Sequence, residues 1–248
     1  NLFLALVGWP LPGAMVVGMS TAAASMHAAT ACTLRHTPLR CTSADRWAAL
    51  VAGGAAARVS DPAFVNECQR QYVANGWCHI PMFLPRSTCD EMRAEAVGLL
   101  ESEDAFASSD EHTVYQEECD PMLPPEHARN MLMQSKKRIV DYARVPPQSA
   151  LRELYTAPQL RGFVQAVVGE PSLHLSGDPF NAAMYNGYYD TDGLGWHFDR
   201  SEFGVNLVLQ EPSSGGAFDY HRLTRSEADP WAYAAVGDVL RAAAEPQI

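Results

Sequence analysis

The feature that most limits what this chain can fold into is a change of texture at Ser172. Before it, apolar residues recur at helical spacing. After it, short strand-like runs alternate with Gly, Asp and Asn turns. Helices first and strands afterwards point to an α+β layout. Residues 62–74 read as a helix on Phe64, Val65, Cys68 and Tyr72, closed by Asn75-Gly76. A short strand at 77–80 follows, then a helix capped by Ser87 and running to about Glu101 on Met92, Ala96, Leu99 and Leu100. Residues 149–155 and 158–168 form two further helices, the second opening on Pro158 and ending at Gly169. Residues 102–128 are acidic, contain Pro and lack a period, so they read as a long loop; 129–140 mix strand and helix signals. The stretches 174–175, 181–185, 196–198, 203–210 and 217–220 suit an antiparallel sheet, and 229–244 is helical again.

Length and composition set broad limits. With 248 residues, 47% hydrophobic and 19% charged, there is material for one sizeable domain plus appendages. A net charge of −11 argues against a nucleic-acid surface, which would need a basic stripe. The basic run Lys136-Lys137-Arg138 reads as a solvated helix face. Six cysteines without a C-x-x-C pair favour reduced thiols inside a cell, cytoplasmic or organellar, over a disulfide framework or a zinc site.

Residues 1–58 are set apart as a leader, largely unstructured, and 59–248 as the domain. Residues 1–19 are apolar but broken by Pro10 and Pro12, which argues against a stable membrane span. The Ala-, Ser- and Thr-rich stretch 20–44, with Arg35 and Arg40, has the composition of an organellar transit peptide. It fits equally a non-native leader ahead of a start at Met15, Met19 or Met26. The segment 46–58 reads as a loose helix or the end of that leader.

The chemistry concentrates at Trp196-His197-Phe198-Asp199, just before the apolar run 203–210. On a strand, residues two apart share a face. An imidazole and a carboxylate converging there are two-thirds of the facial triad that holds non-haem Fe(II). A His-x-Asp pair alone is weak evidence, since about half a match is expected by chance in a chain of this composition.

The surrounding residues carry more weight. Asp178-Pro179, Asn186-x-Tyr188, Gly195-Trp196-His197-Phe198-Asp199, Leu207-x-Leu209-Gln210 and Gly215-Gly216-x-Phe218-x-Tyr220 resemble Fe(II)/2-oxoglutarate-dependent oxygenases. The likeness is closest to those that hydroxylate or halogenate free amino acids and similar metabolites. The stretch from Tyr72 to Pro81, with Phe83-Leu84 and the helix after it, resembles the usual opening of such enzymes. The resemblance implies a double-stranded β-helix (jelly roll) buttressed by N-terminal helices. It implies His197 and Asp199 as metal ligands, with no catalytic residue beyond them. Fe(II), 2-oxoglutarate as co-substrate and O₂ follow, with ascorbate as reductant and a small metabolite as substrate.

Halogenating members replace the carboxylate by a small residue so that chloride can bind, so Asp199 favours hydroxylation. By the same resemblance Asn186 and Tyr188 are candidates to touch 2-oxoglutarate, with a strand-end turn and a core tyrosine as the plain alternative. Trp196 packs under the site and offers an indole N–H. By the resemblance Phe218 and Tyr220 belong to a barrel wall; Arg222 and Arg225 are candidates to pair with a substrate carboxylate, with a place on the surface as the favoured alternative.

One departure stands out. The resemblance calls for a distal His on a later strand, yet the only histidine after Asp199 is His221, 24 residues past His197. Gly237-Asp238-Val239-Leu240 echoes the start of that strand, but Arg241-Ala242-Ala243-Ala244 continues as helix. The expectation is therefore a C-terminally truncated hydroxylase with an incomplete barrel. Its rival is an inactive jelly-roll binding module lacking the distal ligand. A cupin-type metal protein would want His-x-His and is disfavoured by Asp199.

Overall fold

The computed structural model describes residues 2–5, 14–19, 43–199, 203–212, 216, 218–222 and 228–244. The helices are α1 (Ser43–Val51), α2 (Pro62–Asn75), α3 (Arg86–Leu100), α4 (Ala150–Thr156), α5 (Pro158–Val168) and α6 (Tyr233–Ala244), with a 3₁₀ turn at Ala55–Arg58. α2 opens as its sequence dictates. The Asp61 carboxylate accepts from the Ala63 N–H at 2.9 Å, Pro62 occupies the first turn, and Gly76 closes the helix with a left-handed φ of +82°. α5 repeats the pattern from Pro158 to Gly169. α3 starts two residues earlier than expected, so Ser87 falls inside the first turn and Pro85 occupies the cap position without a side-chain bond.

These helices bury one apolar cluster around Val51, Ala56, Cys68, Cys78, Phe83, Phe163 and Val167. Phe64 stacks on Phe163 with ring centroids 5.8 Å apart. The 3₁₀ turn is tied to this cluster by its backbone, Ala55 N–H donating to the Met82 carbonyl and Ala56 N–H to that of Phe83, both at 2.9 Å. The structure therefore differs from the reading of 1–58 as a leader: Leu50, Val51 and Ala56 lie in the same core as Cys68. An Ala-rich segment carries a weak periodic signal, and tertiary contacts decide its place.

The strands are β1 (Leu2–Ala5), β2 (Ala14–Met19), β3 (Trp77–Ile80), β4 (Phe106–Thr113), β5 (Leu132–Val140), β6 (Tyr185–Gly187), β7 (Gly193–His197), β8 (Asn206–Leu207) and β9 (Phe218–Arg222). They pair antiparallel in two sheets. One has the order β3-β1-β8; the other runs β4-β5-β7-β2-β9, with β6 also on β5. β1 and β2, inside the expected leader, are thus sheet strands, short apolar segments whose backbone groups are satisfied by neighbouring ladders.

Other differences have local causes. The expected loop 102–128 contains β4, which pairs residue for residue with β5 from Phe106↔Ile139 to Thr113↔Leu132. The run Lys136-Lys137-Arg138 lies on β5, a strand and not a helix face. No strand forms at 174–175, and only Asn206–Leu207 of the run 203–210 joins a ladder. Phe203, Leu207 and Leu209 pack instead against the helical cluster. A jelly roll is not established by this topology; a mixture of helices and antiparallel sheets is.

Candidate metal centre

β7 delivers His197 to one face of the larger sheet. Alternation sends its neighbours the other way: Trp196 and Phe198 join an apolar cluster with Val114, Tyr115, Val236 and Leu240, against which α6 is laid. The peptide of Phe198 is held on both sides. Its N–H donates to the Val114 carbonyl at 2.9 Å, and its carbonyl accepts from the Gln116 side-chain amide at 2.6 Å. Gln116 holds a left-handed φ of +53°, an uncommon conformation for a residue with a side chain. The turn at 114–116 therefore fixes the spacing between His197 and Asp199. It lies in the expected structureless loop, and its apolar anchors Val114 and Tyr115 are too short a run to read as an element.

The orientation of His197 is set by its partners. Nδ1 lies 2.8 Å from the Gly195 carbonyl, which can only accept, so Nδ1 carries a proton. Nε2 lies 3.1 Å from Asp199 Oδ1. Both ring nitrogens thus face acceptors, and a cation at Nε2, either a proton or a metal ion, satisfies the imidazole and the carboxylate together. Cis ligands at roughly 2.1 Å from one metal ion are about 3.0 Å apart, so the observed separation fits the cis edge of a metal site. Both side chains are largely shielded, His197 at 11% and Asp199 at 28% exposure. A backbone carbonyl accepting the second ring N–H is the usual support of a metal-ligating histidine.

Two further groups feel Asp199. Tyr188 is half-buried, and its phenol is pushed up to about 12, first by burial and then by the Asp199 charge. Lys137 is half-buried on β5, and burial lowers its ammonium, with Asp199 and Asp110 opposing that shift. The sequence pointed to Tyr188. It missed Lys137, because a Lys-Lys-Arg run reads as solvated surface unless the strand period is known. Lys136 and Arg138, one residue either side, point away by alternation, and Lys136 pairs with the buried Asp192 at 2.9 Å.

The remaining expected residues divide. Trp196 packs under the site in the apolar cluster. Asn186 pairs with Ile139 on β6 and its side chain is exposed. The register His197↔Val16↔Tyr220 aligns Tyr220 with His197, so His221 takes the other face and is exposed. Gly237 and Asp238 lie in α6. Gly215 and Arg225 lie outside the described residues, as does the Arg222 side chain. Among the described residues no three His, Cys, Asp or Glu side chains come together to hold a metal ion. No helix among them is long and apolar enough to cross a membrane.

The model of a family described as halogenase D matches residues 60–227, well over half of the chain and inclusive of α2, the 114–116 turn, His197 and Asp199. No curated protein matches the chain. No solved structure matches it.

Proposed function

We propose that this chain, which belongs to the halogenase D family, uses His197 and Asp199 as two ligands of an Fe(II) centre in a 2-oxoglutarate-dependent oxygenase. The observation that carries the reading is the convergence of Nε2 of a ring anchored through Nδ1 with a carboxylate oxygen at 3.1 Å. When bound, Fe(II) with 2-oxoglutarate and O₂ supplies the oxidising power for attack on an unactivated C–H bond. The chain's own residues do the rest. Gly195 holds the ring in the ligating tautomer, the 114–116 turn sets the ligand spacing, and Trp196 and Phe198 close the floor of the site to water.

The carboxylate of Asp199 fills the position that a halide would need, which favours hydroxylation within a family named for halogenation. Lys137 offers a half-buried cation beside this centre, suited to a carboxylate of 2-oxoglutarate or of an amino-acid substrate. Tyr188, protonated at neutral pH, offers an O–H donor at the same place. The fold that accompanies this reading is a double-stranded β-helix, for which the two antiparallel sheets and the helices packed on them are the support.

The test is anaerobic Co(II) and Fe(II) titration, followed by succinate release from 2-oxoglutarate with ascorbate, screened against free amino acids. Metal binding and turnover should both be lost in His197→Ala and Asp199→Ala. Metal binding that survives His197→Ala would sink the ligand assignment; no metal binding by the parent protein would favour a jelly-roll binding module.

A further inference from the structure

Behind His197 runs a chain of hydrogen bonds that reaches a second histidine on another strand. His112, on β4, has Nδ1 at 2.9 Å from the Thr113 carbonyl, so Nδ1 is the donor there and the neutral ring's Nε2 is an acceptor. That Nε2 lies 2.6 Å from Ser135 Oγ on β5, and the hydroxyl therefore donates to it. The Ser135 oxygen in turn accepts the Gly195 N–H at 2.9 Å. The carbonyl of the same Gly195 accepts the Nδ1 proton of His197 at 2.8 Å. Every donor in this sequence meets an acceptor, and the two adjoining peptide groups of Gly195 carry the constraint by position, from the Ser135 hydroxyl on one side to His197 on the other. The ring of His112 also stands edge-on to that of His197, centroids 6.3 Å apart.

Gly195 is the hinge of the arrangement. A Cβ there would meet Met133 Cβ at 2.6 Å and the Gln134 carbonyl oxygen at 3.0 Å, so only glycine lets β7 press this closely on β5. Ser135 is buried, at 7% exposure, and His112 is half-buried.

We propose that Ser135 and His112 are positioning residues for the metal centre, holding the Gly195 peptide so that His197 keeps its proton on Nδ1 and presents Nε2. Without that hold, Asp199 at 3.1 Å would draw the proton of a neutral ring onto Nε2, the very atom that must ligate. The role in metal affinity rests on the ligand assignment above; the tautomer does not.

The experiment is long-range ¹H–¹⁵N NMR of histidine-labelled apo protein, at a pH where the rings are neutral, together with Co(II) titration of the same samples. In the parent protein both His112 and His197 should carry their proton on Nδ1. Ser135→Ala and His112→Phe should each move His197 toward the Nε2–H form and weaken Co(II) binding by about 10–100-fold. Ser135→Thr, which keeps the hydroxyl, should restore both. A His197 that stays Nδ1–H in folded Ser135→Ala and His112→Phe would overturn the proposal. Should the tautomer respond as expected while the parent binds no Co(II), the positioning network stands and the metal reading fails.

Discussion

Around Phe83 the interior is apolar on all sides: Val51, Ala56, Cys68, Cys78, Phe163 and Val167 close on one another, and the Thr88 hydroxyl is absorbed by the Leu50 carbonyl at 2.9 Å. Around His197 the sheet face is polar: His112, Ser135, His197 and Asp199 are shielded and joined by hydrogen bonds, and the partly buried Lys137 and Tyr188 feel the Asp199 charge. The first arrangement is held by burial, which is non-directional and tolerant. The second is held by hydrogen bonds whose donors and acceptors must alternate correctly, and an error leaves a shielded polar group unsatisfied. The helical region is therefore expected to set stability, and the strand region to spend some of it on geometry.

The strongest way to break this division is to damage the helical core alone. Phe163 is 2% exposed and stacks on Phe64. Phe163→Ala should cost about 3–5 kcal/mol in urea denaturation, from lost burial and the cavity left behind. The fraction that remains folded should bind Co(II) as the parent does. Equal losses of stability and of metal affinity would show that the two regions are not separable.

A matched pair of glycines sharpens the comparison at lower cost. At Gly54 a Cβ would meet the Phe83 carbonyl oxygen at 2.4 Å and the Leu84 carbonyl carbon at 2.8 Å, both backbone atoms that cannot swing aside. At Gly195 it would meet Met133 and Gln134. Overpacking of this kind costs about 1–3 kcal/mol, so both Gly54→Ala and Gly195→Ala should lower the urea midpoint. Only Gly195→Ala should also weaken Co(II) binding, because it moves the peptide that orients His197.

What could be read in advance follows the same line. α2 and α5 were legible because Pro at the start and Gly at the end are local signals with local causes. The pairing of His197 with Asp199 was suggested by strand alternation, although β7 ends at His197 and the 114–116 turn holds Phe198 between the two side chains. β4 was not legible, since Phe-Ala-Ser-Ser-Asp-Glu-His-Thr is mostly polar and exposed, and its strand state comes from eight paired positions on β5. Lys137 and Ser135 were hidden with it, because only the register of β4, β5 and β7 tells which side chains turn inward. The run 203–210 failed in the opposite sense. Its apolar residues are there for the helical core, and little of it enters a ladder.

The smallest expected effect concerns Tyr188. Its pKa is pushed up to about 12, by burial first and by the Asp199 carboxylate second. An unfolded chain ionises tyrosine near 10, so above that pH the unfolded state has lost a proton that the folded state keeps. The stability conferred by burying the neutral phenol is thus complete below about pH 10 and is lost as pH rises toward 12. Burial also raises Tyr185 and Tyr155, so absorbance at 295 nm should show a late-titrating tyrosine component that is smaller by one residue in Tyr188→Phe. Asp199→Asn should bring it down by less than burial raises it, since the charge is the lesser cause. A Tyr188 that titrates near 10 would place the phenol in water and remove it from the polar face around His197, leaving Lys137 as the one group there still available to meet a carboxylate.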